Sequence, residues 1–455
     1  MMRQETGLLL RGRLDTAVAV LMLALAFVTF PAVMAARAAV DIQTVRSDKG
    51  VEAWLVEDYT LPIVTIYFSF GGGSTQEPAE LEGITRLMTG LFDEGAGDLD
   101  SEAFQEAMDL AGGRMSFDAG RDALYGSLSM LVDDKPRVLE LARLAINDPR
   151  FDPEPVERIR GQILTSIRAS ERDPQRQGRD EFARALYGGH PYARSGAGTV
   201  ETASAITPED LHAFHGRLFA RSDLNVAVVG AIDAETLKRE LDLLFGDLPA
   251  EADLVPVEKV APKLDQTVRF DYPLPQAAIQ LVYPGVERDD PEFFAAFLMN
   301  HVLGGGTFSS RLFTEVREVR GLAYGISSGI SNSDYATSLS IGTSTRADRV
   351  EETLAVIEEE VAKLAAEGPS DKELDDAKRY VIGAYPINNL DSSASIARTL
   401  LEIQRSELGI DYIERRVDEI ERVTIDQVRE AARRVLTGEP AVLVIGPEAE
   451  EPSDG

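Results

Sequence analysis

Four apolar residues, Ile84, Leu87, Met88 and Leu91, recur at i, i+3, i+4 and i+7 and predict a short amphipathic helix with one buried stripe. Ahead of it the run Ile63 to Phe70 reads as a strand, followed by the turn Gly71-Gly72-Gly73-Ser74. The same grammar returns later. Ile206 to Ile232 (ITPEDLHAFHGRLFARSDLNVAVVGAI) and Val423 to Glu448 (VTIDQVREAARRVLTGEPAVLVIGPE) each read as a cap, an amphipathic helix, a turn and an apolar strand reaching Gly. Lys135 to Leu164 likewise parallels Arg349 to Ile382, two helices joined by a proline-bearing turn, and the strand Ile63 to Phe70 parallels Gln276 to Pro284. Three echoes in one order, about 215 residues apart, indicate a tandem duplication.

Strands and helices intermix in each half, with a hairpin from Tyr324 to Thr345 turning at Ser331-Asn332-Ser333-Asp334. The expectation is an α+β fold of two homologous tandem domains, each a mixed sheet with helices packed on one face. The proline- and charge-rich segment Leu248 to Gln266 marks the join, which divides the chain into domains at 40–250 and 267–450 with a linker at 251–266. A chain of 455 residues exceeds what one core normally holds.

The first 38 residues read as a signal peptide: Arg3, Arg11 and Arg13 precede an apolar run, Ala17 to Phe30, and Ala36-Arg37-Ala38 supplies small residues at a cleavage point. The run is short for a bilayer span, although an uncleaved anchor is the alternative. Export, most simply to the periplasm of a Gram-negative bacterium, follows, with no stable membrane span after cleavage. The chain has no cysteine, so disulfides, thiolate metal sites and thiol nucleophiles are all excluded. Its 77 acidic against 46 basic residues, a net charge of −31, argue against nucleic acid and anionic membrane and suit basic peptides.

The helix at Gly83 to Gly95 (GITRLMTGLFDEG) has the frame of a zinc helix of the inverted type, H-x-x-E-H, in which two imidazoles four apart share one face. At those three places stand Arg86, Thr89 and Gly90. The four histidines offer little replacement. His212 and His215 sit three apart on a helix without an acidic partner, His190 precedes a proline in a loop, and His301 opens HVLGGG near a helix end.

Strand, glycine turn and helix together resemble the entrance of the pitrilysin or insulinase-like peptidases, the family that includes the mitochondrial processing peptidase. The resemblance covers nearly all of residues 40 to 450 and implies a pitrilysin-type half-clamshell. It also implies a third ligand, a Glu on a later helix. In this chain that helix is expected at Glu157 to Arg172 and Ser166 stands at the place. No metal is therefore expected on this chain. The stretch Ser309 to Gly329 (SSRLFTEVREVRGLAYGISSG) is the most family-like, with Leu312, Phe313, Val316 and Val319 expected as a buried helical stripe ended by Gly321. By resemblance, Arg317 and Tyr324 reach across to a zinc site and hold substrate there, and Gly305 in the run Gly304-Gly305-Gly306 lets a peptide backbone approach. The implied function is that of a non-zinc subunit, catalytic through Arg317 and Tyr324, of an exported heterodimeric metallopeptidase. The zinc would be carried by a homologous partner subunit. The alternatives are an inert peptidase-like binding or scaffold protein and a self-sufficient zinc peptidase with other ligands.

Overall fold

The computed structural model describes residues 40–447, so the signal-peptide expectation lies outside the described residues. Thirteen strands carry the architecture: β1 (Gln43–Arg46), β2 (Glu52–Glu57), β3 (Ile63–Gly71), β4 (Gly95–Ala96), β5 (Leu99–Asp100), β6 (Arg114–Ala119), β7 (Ala123–Leu131), β8 (Asn225–Gly230), β9 (Thr267–Asp271), β10 (Gln276–Pro284), β11 (Ala323–Asn332), β12 (Thr337–Arg346) and β13 (Ala441–Gly446). They form a six-stranded sheet in the order β1-β2-β8-β3-β7-β6 and a five-stranded sheet in the order β11-β12-β10-β13-β9, while β4 and β5 pair with each other.

The duplication is written in this topology. Read from the other end, the second sheet repeats the first from β2 onward. Each has a single parallel pair, β2 with β8 and β9 with β13, and all its other pairs are antiparallel. The last strand of each set follows a helix capped in the same way. Thr207 and Asp210 form a capping box at the helix Pro208–Leu218, and Thr424 and Gln427 form one at the helix Ile425–Leu436. The pair Lys135–Asn147 and Pro153–Ser170 answers the pair Val350–Glu367 and Asp371–Asn389.

The helices of each half bury one face of their own sheet. Two further helices are exchanged. Pro174–Tyr187, from the first half, packs on β9 and β13 of the second sheet, and Ser393–Arg405 packs on β3 and β8 of the first. This exchange explains why β3 is buried or half-buried along its whole length instead of alternating with solvent. Gly178 permits a close approach: a Cβ there would lie 2.6 Å from the side chain of Ile445 in β13. The segment 251–266 has no regular structure and is pinned to both halves. The backbone of Val255 exchanges hydrogen bonds with the Gln76 amide (2.7 and 3.0 Å), and the N–H groups of Val260 and Lys263 donate to the carbonyls of Tyr335 (2.8 Å) and Leu186 (2.9 Å). Among the described residues no helix is long and apolar enough to cross a membrane.

Candidate functional site

At the start of the first-half helix, Gly83 sits at φ 95°, and the buried Glu77 carboxylate accepts N–H bonds from Gly83 (2.9 Å) and Thr85 (3.0 Å). Burial pushes the Glu77 carboxyl up to about 7 against the pull of those bonds. The helix itself is only Ile84–Thr89, shorter than the periodicity through Leu91 suggests, because Gly90 ends it. Ile84, Leu87, Met88 and Leu91 are all buried as the pattern requires. Arg86 points off the other side and donates to the Ser166 hydroxyl at 3.3 Å, so the fold does bring together the first and third positions at which the resemblance places ligands. Ser166 lies on a helix that runs Pro153–Ser170, starting earlier than the expected Glu157 because Pro153 follows Asp152 at its first position.

This donor set does not fit zinc. A guanidinium cannot be deprotonated to coordinate, Gly90 has no side chain, and the Thr89 hydroxyl donates to the Arg86 carbonyl at 3.2 Å. Among the described residues there is also no cluster of three His, Asp or Glu able to hold a metal. The histidines have other tasks. His215 is half-buried, bonds through Nε2 to the Ile146 carbonyl (2.9 Å), stacks on Phe219, and is pushed down to about 4 by desolvation. His212 packs edge-on against Phe151, His190 accepts the Tyr192 N–H, and His301 lies against the Tyr380 ring.

In the second half, the helix around Arg317 departs from the expected form. Residues Phe313–Val319 are a π-helix, and Leu312, Phe313 and Val316 are buried while Val319 is 63% exposed. The wider π turn advances the buried stripe by more than 3.6 residues per turn, so the next inward position falls after Val319. Gly321, at φ 60°, then closes the turn, its N–H bonded to the Arg317 carbonyl at 3.1 Å. The chain enters β11 with a bulge: Ala323 faces Thr345 and Ile326 faces Thr343, one residue more on β11 than on β12. The extra residue turns Tyr324 outward, 89% exposed, and the Thr343 hydroxyl holds the bulge by donating to the Gly325 carbonyl at 2.8 Å.

Arg317 and Tyr324 are thereby brought together. The guanidinium lies 5.0 Å from the centre of the Tyr324 ring and 4.6 Å from that of Phe313. Gly305 is exposed in a π-helical turn, His301–Gly305, where a Cβ would meet the Asn300 amide at 2.8 Å. Asn300 in turn accepts the Ser328 hydroxyl at 2.7 Å, which ties the glycine run to β11. Tyr324 borders a cleft of about 850 Å³ along β10 and β12, whereas Arg86 and Ser166 border a separate one of about 700 Å³. The helix Pro174–Tyr187 stands between them, giving Arg179 to the first and Arg176 to the second, so the two loci do not converge within this chain.

A polar cluster between the halves carried no signal in the sequence. The Tyr192 hydroxyl donates to Asp122 at 2.6 Å and accepts the Tyr335 N–H at 3.1 Å. Asp334, at the tip of the β11–β12 hairpin, pairs with Arg405 of the exchanged helix at 3.1 Å and donates its own N–H to Asp122 at 3.2 Å.

Residues 54–200 match the insulinase family (peptidase family M16) and residues 205–381 match the peptidase M16 inactive domain. An uncharacterized zinc protease of Streptomyces coelicolor is 30% identical over 82% of this chain and 83% of its own length. A non-peptidase homolog of Helicobacter pylori is 23% identical over 82% and 86%. Among solved structures, a peptidase M16 inactive domain from Pseudomonas fluorescens superposes with a TM-score of 0.84 at 29% identity, covering 90% of this chain and 99% of that one. The periplasmic protease PqqL of Escherichia coli has the same fold, with a TM-score of 0.77 at 16% identity, and the match covers 90% of this chain but 46% of that protein.

Proposed function

The chain belongs to the M16 peptidase family, and from that premise we propose that it is the non-zinc subunit of an exported heterodimeric metallopeptidase. It would form one half-clamshell of the enzyme, divided as 40–250, 251–266 and 267–450. The zinc would sit on a homologous partner, and Arg317 and Tyr324 would complete that partner's site while an extended peptide lies in the chamber between the subunits. The observation that carries this reading is the stacked Arg317–Tyr324 pair, held out from a bulge on an unpaired sheet edge, 89% exposed at the tyrosine. A guanidinium and a phenol presented this way can donate to a peptide carbonyl and to the charge that develops on its oxygen. The size relation supports pairing, since this chain spans 46% of the E. coli protein, which has room for a second such body. That E. coli relative is periplasmic, and the charged start followed by an apolar run at residues 1–38 supports the same compartment for this chain. The H. pylori relative, named a non-peptidase, favours a second reading, an inert binding or scaffold protein.

The deciding experiment pairs the chain with the zinc-bearing homologue that co-purifies from its host. Turnover of a quenched peptide is then measured for Arg317→Ala and Tyr324→Phe, with assembly checked by size. Loss of a donor to a developing oxyanion is expected to lower turnover by about 100-fold. Variants that assemble and cleave like the parent would leave the scaffold reading in possession.

A further inference from the structure

Arg86 stands where the first metal ligand would be, and it is a half-buried cation short of partners. Among the described residues its one side-chain hydrogen bond is the 3.3 Å donation to the neutral Ser166 hydroxyl, and no carboxylate lies within ion-pairing distance. Of the other guanidinium groups that line this cavity, Arg176 is engaged by Asp180 at 3.1 Å and by the Ser195 hydroxyl at 2.6 Å, and Arg184 is exposed to solvent rather than half-buried. Arg86 therefore has most of its five N–H donors free at a cavity of about 700 Å³, which is room for the end of a peptide. Withdrawing an unpaired guanidinium from water is unfavourable, and a carboxylate accepting two parallel N–H bonds is the group that best relieves it.

We propose that this cavity is a carboxylate site that takes the free C-terminal carboxylate of a basic peptide. The inference rests on the peptide-binding reading above and names how the chain would hold its peptide. Two features select the ligand class. The protein's net charge of −31 disfavours a peptide that is anionic overall and draws in a basic one, whose terminal carboxylate is the negative group it always has. The exposed rim carboxylates Glu171 and Glu181 suit basic residues just ahead of that end and oppose a polyanion such as a phosphate cluster. Replacement of the metal ligands thus converts a site that would polarise a peptide bond into one that grips a chain end. Peptide register would then be set from the C-terminus.

Binding of labelled lysine-rich peptides to the full mature chain, read by fluorescence anisotropy, tests this. Three versions of one sequence are compared: free acid, C-terminal amide, and amide with an internal Glu. The wild type should bind the free acid about tenfold or more tightly than the amide, and Arg86→Gln should abolish that preference while still binding both. Arg86→Lys, which keeps the charge without the fork, should retain part of it. Equal affinity for acid and amide in the wild type, or a preference that survives Arg86→Gln in a variant that melts like the parent, would overturn the carboxylate site and leave peptide binding standing. An internal Glu that fully replaces the free end would overturn the terminal assignment. Failure to bind any of the three would overturn both the site and the peptide-binding reading beneath it.

Discussion

In the first sheet Phe68 of β3 lies opposite Gly126 of β7, and a Cβ on that glycine would fall 2.1 Å from the ring. Gly230 lies against Val64 and Gly446 against Ala277, so the corresponding place in the second sheet is Leu281 of β10 opposite Ile341 of β12. One half fills the position with a phenyl ring over bare backbone, the other with two aliphatic side chains. All three side chains are at most 1% exposed. Around Phe68 gather Phe70, Phe117 and Phe245, with ring centres 5.2 to 5.9 Å away. The comparison teaches that the duplicated fold preserves strand order and pairing, while the side chains that fill a matching position are free to differ in size and shape. The candidate sites of the two halves differ as well. The first half places Arg86 beside Ser166 on a short helix, and the second half places Arg317 beside Tyr324 at a bulge.

The largest effect expected from breaking this comparison is in the core. Phe68→Ala should cost about 3–5 kcal/mol in urea unfolding, and Gly126→Ile alone should be comparably damaging because the ring cannot move out of its aromatic neighbours. Transplanting the second half's solution, Phe68→Leu with Gly126→Ile, should recover part of the loss, with a coupling energy of about 1–3 kcal/mol measured against Phe68→Leu and Gly126→Ile alone. Simple additivity of the two single costs would show that the halves are not interchangeable at this position.

A second contrast concerns the acids that precede the first helix of each half. Burial raises Glu77 to about 7, whereas Asp290, ahead of the helix Phe293–Asn300, is held below its usual value: its burial is outweighed by the Arg434 guanidinium and the Glu292 N–H. A raised carboxyl binds more protons folded than unfolded, so its contribution to stability falls as pH rises from 4.5 to about 7 and is level above that. The total is about 3 kcal/mol at ~1.4 kcal/mol per pH unit. The lowered Asp290 has the opposite sign and acts only below its ordinary 3.8. Relative to wild type, Glu77→Gln should therefore gain about 3 kcal/mol between pH 4.5 and 7 in paired denaturation curves. A difference that does not change with pH would refute the buried-acid account.

The smallest effect is expected where the halves meet. Tyr192→Phe keeps the ring and removes the hydroxyl that joins Asp122 to the Tyr335 N–H, at an expected cost of about 1–3 kcal/mol. Calorimetry that finds the parent's melting unchanged would mean that the hairpin tip rests on the first half without contributing to its stability.

Periodicity and order along the chain determined the duplication, the element types and the family resemblance, because each of these depends on contacts between residues near in sequence. Ile84, Leu87 and Met88 had to face inward once a helix formed, and Thr207 and Thr424 capped the helices that their spacing announced. The pairing of Arg317 with Tyr324 and the nearness of Arg86 to Ser166 were legible only through the family frame, since spacing alone did not single them out. The π turn that exposes Val319 was not, since a hydrophobic stripe is read on the assumption of 3.6 residues per turn. Tertiary structure alone decided the exchange of Pro174–Tyr187 and Ser393–Arg405 between the sheets, the cluster at Asp122, Tyr192, Asp334 and Arg405, and the separation of the Arg86 cavity from the Tyr324 cleft. These joins link residues as much as 331 positions apart, Tyr67 to Arg398, and a local pattern cannot encode which distant surface an amphipathic helix will choose once several apolar faces compete for it.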